Sequence, residues 1–563
     1  CFIFIDTPHV LASIEAQLTF TKWDERVCLC TPENWQEYAE QLKIQSYLYT
    51  EKIRYIKSIA ARDAYQTQYY DMDTELALTI ESLKHKTMVS LSRRPFITRQ
   101  LENLSENATP LIELENVFKG RTCVILAGGP SLDNDLEWVK ENQAHLVILA
   151  VSRIANKLCQ NNVIPHMIFS VDPHDVSFDV SKEMLKLPDS VIFVHSNYVV
   201  PSLLGQWSGK HYYCGGRVPW ESKLNQPNVE LQGPTVTNSA ISAAIALGFK
   251  QILLTGVDLC YAKNGLTHAS GSNEAKVGPR LGYKGQWVET YEGKQAETST
   301  EFLHATLVLS DQAKKAMEVD CELINLSETA ARVKHVAKIN VQDIRLDQKF
   351  DAEQTLAKHV TQNSNIAQDN KVILKELQRI IKDVNEINRI ADGALADNEA
   401  LYKKYSDEQK NFQFKLKLDK AEKKLTTKFE STNNFIKRFG IKNFIKAVRT
   451  DSDQDWSDEE MEEVGRIYYQ AFVDTVADLK PLLIDAKERV SNRIEEHKPS
   501  PNISKLMQQW KKDHHFKRAT DWSKKHRSIY KSLNDEIRAE FNYCEQEHCR
   551  ILTETDTKHF RRT

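Results

Sequence analysis

Short apolar runs alternate with helical stretches between residues 122 and 325, and this alternation constrains the fold more than any other feature of the chain. The runs are 122–127 (TCVILA), 146–151 (LVILAV), 167–171 (MIFSV), 191–195 (VIFVH), 252–256 (ILLTG) and 321–325 (CELIN). Each has the length of a strand and lacks the polar alternation of a half-exposed sheet. Between them, 134–142, 153–161 and 238–247 carry apolar residues at helical spacing. Apolar strands alternating with helices predict an α/β domain with a doubly wound, mostly parallel, Rossmann-like sheet covered on both faces. Ligands of such sheets bind outside the carboxyl ends of the strands, near the switch in strand order. Gly128, Ser152, Asp172, Asn197 and Asp258 all fall at such ends.

The remainder divides around this core. Residues 1–105 start with strand-like runs at 2–5 and 27–30, then continue as a helical connector from Trp35 through the tyrosine-rich Tyr65–Tyr70 to Leu104. They read as a small N-terminal α/β domain with a structural or partner-binding role. Residues 106–340 hold the sheet. From 341 to 563 glycine becomes scarce and helical periodicity takes over, with Leu374, Leu377, Ile381, Val384, Ile387 and Ile390 on one face. A further helix is expected over Asp458–His497, and the region reads as an α-helical C-terminal domain. Its basic clusters, such as Lys437-Arg438 and Lys524-Lys525-His526-Arg527, read as solvated helix faces. The acidic stretch Asp451–Asp455 imitates a calcium loop, but Trp456 stands where the turn needs glycine. Ser457 and Glu460 instead form a capping box. Cys544, His548 and Cys549 match no zinc spacing and read as helix surface.

Charge and composition exclude several classes. A net charge of −3 with 27% charged residues gives no footprint for nucleic acid. The 10 cysteines are scattered and suit a reducing compartment. No apolar stretch is long enough for a transmembrane helix. The chain opens on Cys1 inside a strand-like run, so residues upstream are expected, and a targeting segment among them stays open.

Three segments carry chemistry. Gly128-Gly129-Pro130-Ser131-Leu132 links a buried strand to a helix, a geometry in which backbone N–H groups and the helix dipole favour a phosphate. Ser131 would add a hydroxyl donor, or the segment is an ordinary strand-to-helix turn. At 252–271, Asp258 ends a strand and a glycine-containing loop brings Thr267 and His268. An aspartate and a loop histidine can serve as orienting carboxylate and general base; alternatively, Asp258 caps a turn and His268 is merely exposed. Thr235, Thr237 and Asn238 stand at a helix start and form either a second anion pocket or a simple N-cap.

The ordered set Gly128-Gly129-Pro130-Ser131-Leu132, Val171-Asp172-Pro173, Gly233-Pro234-Thr235-Val236-Thr237-Asn238-Ser239-Ala240, Gly256-Val257-Asp258-Leu259 and Thr267-His268-Ala269-Ser270-Gly271 resembles the motility-associated factor (Maf) family of bacterial flagellin glycosyltransferases. The resemblance is best over 106–340. It implies an inverting transferase that moves a nonulosonic acid, of the pseudaminic or legionaminic type, from a CMP-activated donor to flagellin serines and threonines. It implies a cytoplasmic enzyme needed for flagellum assembly and motility, with flagellin as partner and neither metal nor other cofactor. Gly128, Gly129, Pro130, Ser131, Ser152, Asp172, Thr235, Thr237, Asn238 and Thr267 would bind the donor. His268 would act as base with Asp258 placing it or binding the sugar.

The central region also resembles bacterial sialyltransferases that use a CMP-activated sugar, and these have asparagine where Gly128 stands. Their catalytic histidine falls near 295–300, which has none here; His304, Glu297 and Glu301 are the alternative bases. Archaeal pterin diphosphokinases share the Gly-Pro-Ser turn and form the rival reading, with magnesium on Asp172 and Asp258. A non-catalytic flagellin-binding factor is the third.

Overall fold

The computed structural model describes residues 2–17, 27–42, 44–49, 53–57, isolated positions between 69 and 91, and then 93–271, 286–359, 366–403, 408–448 and 456–553. Most of the tyrosine-rich segment (65–68 and 70) and the acidic stretch 451–455 lie outside the described residues. The chain divides into two compact units, 1–94 with 386–476, and 95–385 with 477–563.

The larger unit is built on one sheet. Its strands are β3 (Thr122–Leu126), β4 (Val147–Val151), β5 (Met167–Ser170), β6 (Ile192–Ser196), β7 (His211–Cys214), β8 (Gln251–Thr255), β11 (Glu322–Asn325) and β12 (Ala337–Lys338). Their spatial order is β12-β11-β8-β3-β4-β5-β6-β7. Every pairing in it is parallel. The chain thus steps outward from β3 to β7 and then returns across the sheet to lay β8 on the other side of β3. That return sets the switch in strand order between β3 and β8. Helix α1 (Leu132–Glu141) follows β3, α2 (Val236–Ala246) leads into β8, and α3 (Thr300–Met317) leads into β11. The backbone N–H groups of Asn116, Phe118 and Gly120, just before β3, bond the carbonyls of Ala246, Leu247 and Gly248. The carboxyl end of α2 therefore lies at the amino edge of the sheet, and its first turn lies at the carboxyl edge.

All the apolar runs became strands. Val124, Ile125, Leu149 and Leu253 are completely buried, and each such side chain contributes about 1.5–3 kcal/mol. The sequence pattern did not show β7, whose His-Tyr-Tyr-Cys mixes polar and aromatic groups, or β12, which has two residues. It also did not show the separate antiparallel hairpin of β9 (Gln286–Glu289) and β10 (Gln295–Thr298).

Residues 477–563 belong with the sheet. Helices Ile503–Lys512, Phe516–Lys525 and Asp535–Thr553 close around Trp510, Trp522 and Phe541. Buried Glu106 accepts hydrogen bonds from both terminal nitrogens of Arg518 at 2.9 and 2.6 Å, with Arg493 at 3.6 Å. Burial alone would raise the Glu106 carboxyl. Arg493 and Arg518 more than reverse this and hold it well below the usual carboxylate range. Cys544, read from sequence as surface, is fully buried against Met507, because its helix turns that face into the tryptophan cluster. His548 bonds Gln206 at 2.8 Å and Cys549 is exposed, so the three do not converge.

In the smaller unit β1 (Phe2–Ile5) pairs in parallel with β2 (Val27–Cys30), over a core of Cys30, Trp35, Ala39 and Leu76. The capping box holds: Ser457 N–H donates to Glu460 at 2.8 Å and Glu460 N–H to Ser457 Oγ at 3.2 Å. Lys437 is not a freely solvated charge. Its ammonium lies over the Tyr468 and Phe472 rings and donates to Tyr468 at 2.9 Å. On the helix Ile366–Tyr402 the buried stripe includes the expected Leu377, Val384, Ile387 and Ile390, with Ile373 and Ile380 in place of Leu374 and Ile381.

Candidate active site at the strand-order switch

The turn after β3 is packed against the turn after β8. Gly129 N–H donates to the Gly256 carbonyl at 2.8 Å, Gly256 N–H donates to Ser131 Oγ at 3.0 Å, and Ser131 N–H donates to Asp258 Oδ2 at 2.9 Å. A Cβ on Gly129 would overlap both the Asp258 carboxylate and the Gly256 carbonyl, so this close approach requires glycine. Gly256 adopts φ +68, where a Cβ would strike the Ala127 carbonyl.

These bonds revise the phosphate reading of the turn. Leu132, Asp133 and Asn134 N–H groups bond the carbonyls of Gly129, Pro130 and Ser131. Together with the bonds of Gly129 and Ser131, they turn the donors of residues 129 and 131–134 inward. A carboxylate, that of Asp258, takes the position at Ser131 N–H that the sequence reading assigned to a bound phosphate.

Asp258 is buried, and its Oδ1 meets no hydrogen-bond partner among the described residues. Burial, offset in part by Ser131 and reinforced by the negative charges of Asp135 and Asp133, pushes its carboxyl up to about 6. The next residue, Leu259, is held at φ +52, a left-handed conformation costly for leucine. Neighbouring strands impose it: Thr298 Oγ1 bonds the Leu259 carbonyl at 2.8 Å, and Ala331 N–H bonds the Asp258 carbonyl at 2.8 Å. Nothing in the local sequence signals that strain.

His268 lies beside the same turn. Ala269 N–H donates to the Gly128 carbonyl at 2.8 Å, and the His268 ring edge would be 3.5 Å from a Cβ on Gly128. Its Nδ1 is 2.8 Å from Thr267 Oγ1. Gly128, Gly129, Ser131, Asp258, Thr267 and His268 are therefore drawn together by direct bonds and packing. Asp258 accepts from Ser131, and the His268 ring bonds Thr267.

The other proposed donor-binding residues occupy the same edge in different ways. Ser152 is buried and bonds Ser181 at 2.8 Å. Asp172 accepts from His174 N–H at 2.9 Å and has Arg153 at 3.9 Å. Thr235 caps α2 by accepting from Asn238 N–H at 3.2 Å, and Thr237 is half-buried in the first turn. Asn238 is buried and points at α3, donating to the Ala305 carbonyl at 3.2 Å and to Gln312 at 3.1 Å. Asn197 donates to the Gly216 carbonyl, and its own carbonyl accepts from Asn107 at 2.9 Å. Of the alternative bases, Glu297 is buried in β10, Glu301 is exposed at the start of α3, and His304 is buried one turn further. Sequence reasoning missed Arg153, which directly follows Ser152 at the end of β4, and Lys157, on the short helix Ala155–Gln160 that comes next.

Asp172 and Asp258 follow β5 and β8, which are separated by β3 and β4. Three inter-strand spacings of ~4.8 Å put the two strand ends about 14 Å apart, too far for one magnesium ion. Among the described residues no group of three or more His, Cys, Asp or Glu side chains is arranged to hold a metal. Among them, too, no helix is long and apolar enough to cross a membrane.

Residues 98–264 match the family model described as 6-hydroxymethylpterin diphosphokinase MptE-like. No curated protein matches the chain. A solved structure, that of the Maf glycosyltransferase from Magnetospirillum magneticum AMB-1, is similar with 16% identity and a TM-score of 0.48, over 87% of this chain and 71% of that one. The chain is thus similar in its sheet region to the MptE-like family and, over most of its length, to a Maf glycosyltransferase.

Proposed function

We propose that the chain is a glycosyltransferase that moves a nonulosonic acid from a CMP-activated donor to serine or threonine hydroxyls of flagellin in the cytoplasm, before flagellum assembly. The observation that carries this reading is spatial. The Gly-Gly-Pro-Ser turn, Asp258 and the Thr267–His268 loop, far apart in sequence, meet at the strand-order switch, and Asp172 and the Thr235–Asn238 helix start lie elsewhere along the same carboxyl edge. Ligands of doubly wound sheets bind there. In this reading the nucleotide lies across the ends of β3, β4 and β5.

His268 takes the proton from the acceptor hydroxyl as its oxygen attacks the anomeric carbon. The bond from that carbon to the phosphate oxygen breaks with inversion, and CMP leaves with the electron pair. Asp258 acts through the turn: it fixes Ser131 and leaves the Gly128 end open to ligand. Since the donors at 129 and 131–134 are used internally, and the Thr235 hydroxyl donates to Asn238 Oδ1 at 2.6 Å, Arg153 and the hydroxyl of Thr237 supply the contacts to the anion. The test is transfer of labelled sugar from a CMP-nonulosonic acid to purified flagellin, with His268→Ala as the inactive control.

The family-model match over 98–264 favours a second reading, a diphosphokinase acting on a pterin. It needs magnesium ligands other than the pair Asp172 and Asp258. Binding of ATP with magnesium, without response to CMP, would select it.

A further inference from the structure

Lys157 lies on the short helix after β4, and its side chain is 10% exposed. A lysine ammonium has three N–H donors and is costly to bury unless each is used. Here the partners among the described residues number three: the Asp133 carboxylate, the Ser270 carbonyl at 2.9 Å and the Ser270 hydroxyl at 3.1 Å. Asp133, in the first turn of α1, uses its second oxygen to accept from Ser270 N–H at 2.9 Å. Burial opposes the charge on Asp133, but the bonds from Lys157 and Ser270 hold its carboxyl below the ordinary value. Two of the three partners of Lys157 thus belong to one loop residue, and they exist only while that loop is docked.

We propose that Lys157 and Asp133 are positioning residues that clasp the 267–271 loop and so hold His268 over Gly128. The clasp grips Ser270, the Ala269 N–H to Gly128 carbonyl bond grips the preceding residue, and His268 is the next residue back. Neither Lys157 nor Asp133 touches the reacting atoms. The inference deepens the proposed function and rests on it for the role of His268, but the clasp itself is readable without turnover.

The test uses the full chain with Lys157→Met, which keeps the stem and removes the charge, and Lys157→Arg, which restores a cation. Asp133→Asn serves as a second variant should Lys157→Met fold poorly. Hydrogen exchange of the Ala269 and Ser270 amides and the NMR titration of the His268 ring are recorded for each, together with CMP affinity and transfer kinetics. In Lys157→Met these amides should exchange about tenfold faster as the loop opens locally. The ring titration should shift, and CMP affinity should stay within about twofold of the unaltered chain. Transfer kcat should fall about 100-fold with KM unchanged, the cost of a base misplaced by about 1 Å. Lys157→Arg should recover a large part of kcat. Unchanged exchange and an unchanged ring titration in Lys157→Met would overturn the clasp. Absence of transfer by the unaltered chain, with exchange raised as expected in the variant, would count against the proposed function alone.

Discussion

Two helices at the carboxyl edge of the sheet begin after nearly the same tripeptide, and their first turns are built differently. Gly129-Pro130-Ser131 precedes α1, and Gly233-Pro234-Thr235 precedes α2. At α2 the hydroxyl residue is extended and its side chain accepts from the N–H three residues on, an ordinary N-cap. At α1 Ser131 is already helical and makes no cap. Its N–H is given to Asp258 and its oxygen to Gly256, both from the turn after β8. One start is therefore closed locally, and the other is closed by a strand on the far side of the switch. A glycine, proline and hydroxyl signal marks a helix start in both; only the tertiary partner decides whether it is a cap or part of a site.

The strongest way to break this contrast is Gly129→Ala. The new Cβ has no room against Asp258 and Gly256, so denaturant titration should show a loss of about 3 kcal/mol, and nucleotide binding should vanish with it. Asp258→Asn comes next and is read by pH. The folded chain keeps the Asp258 proton up to about 6, whereas the unfolded chain releases it near the ordinary value of 3.8. Stability from this group is therefore present at low pH and is lost as pH rises through that window. Asparagine still accepts from Ser131 N–H but cannot ionise. The variant should gain about 2–3 kcal/mol relative to the unaltered chain between pH 4 and 6, measured by urea unfolding across the range.

Ser131→Ala removes the acceptor for a buried N–H of Gly256 and should cost about 1–3 kcal/mol. Thr235→Ala loses a helix cap, about 1 kcal/mol, and the bond its hydroxyl donates to Asn238 Oδ1, both inside the first turn of α2, and thermal unfolding should show the change with no dependence on pH between 4 and 6. An unaltered pH profile in Asp258→Asn would remove the distinction between the two starts.

Much of the fold was legible because a parallel sheet buried on both faces leaves an unmistakable apolar record, as in 146–151 and 252–256. β7 was not legible, since Tyr212 and Tyr213 are buried while His211 is only half so. The membership of the site was readable from strand ends and glycine turns. The direction in which each side chain faces was not. Asn238 turns to Gln312 and Ser152 to Ser181 because α3 and the 181 segment pack there, and both partners are distant in sequence. Leu259 illustrates the same limit: its left-handed backbone is imposed by bonds from residues 298 and 331 to the Leu259 and Asp258 carbonyls, and no local residue announces it.

The most direct test of the account is calorimetric titration of the full chain with CMP and a CMP-nonulosonic acid, in the absence of metal, beside ATP with magnesium. The account predicts saturable binding of CMP and its sugar conjugate, abolished by Gly129→Ala. Binding of ATP with magnesium and none of CMP would contradict it.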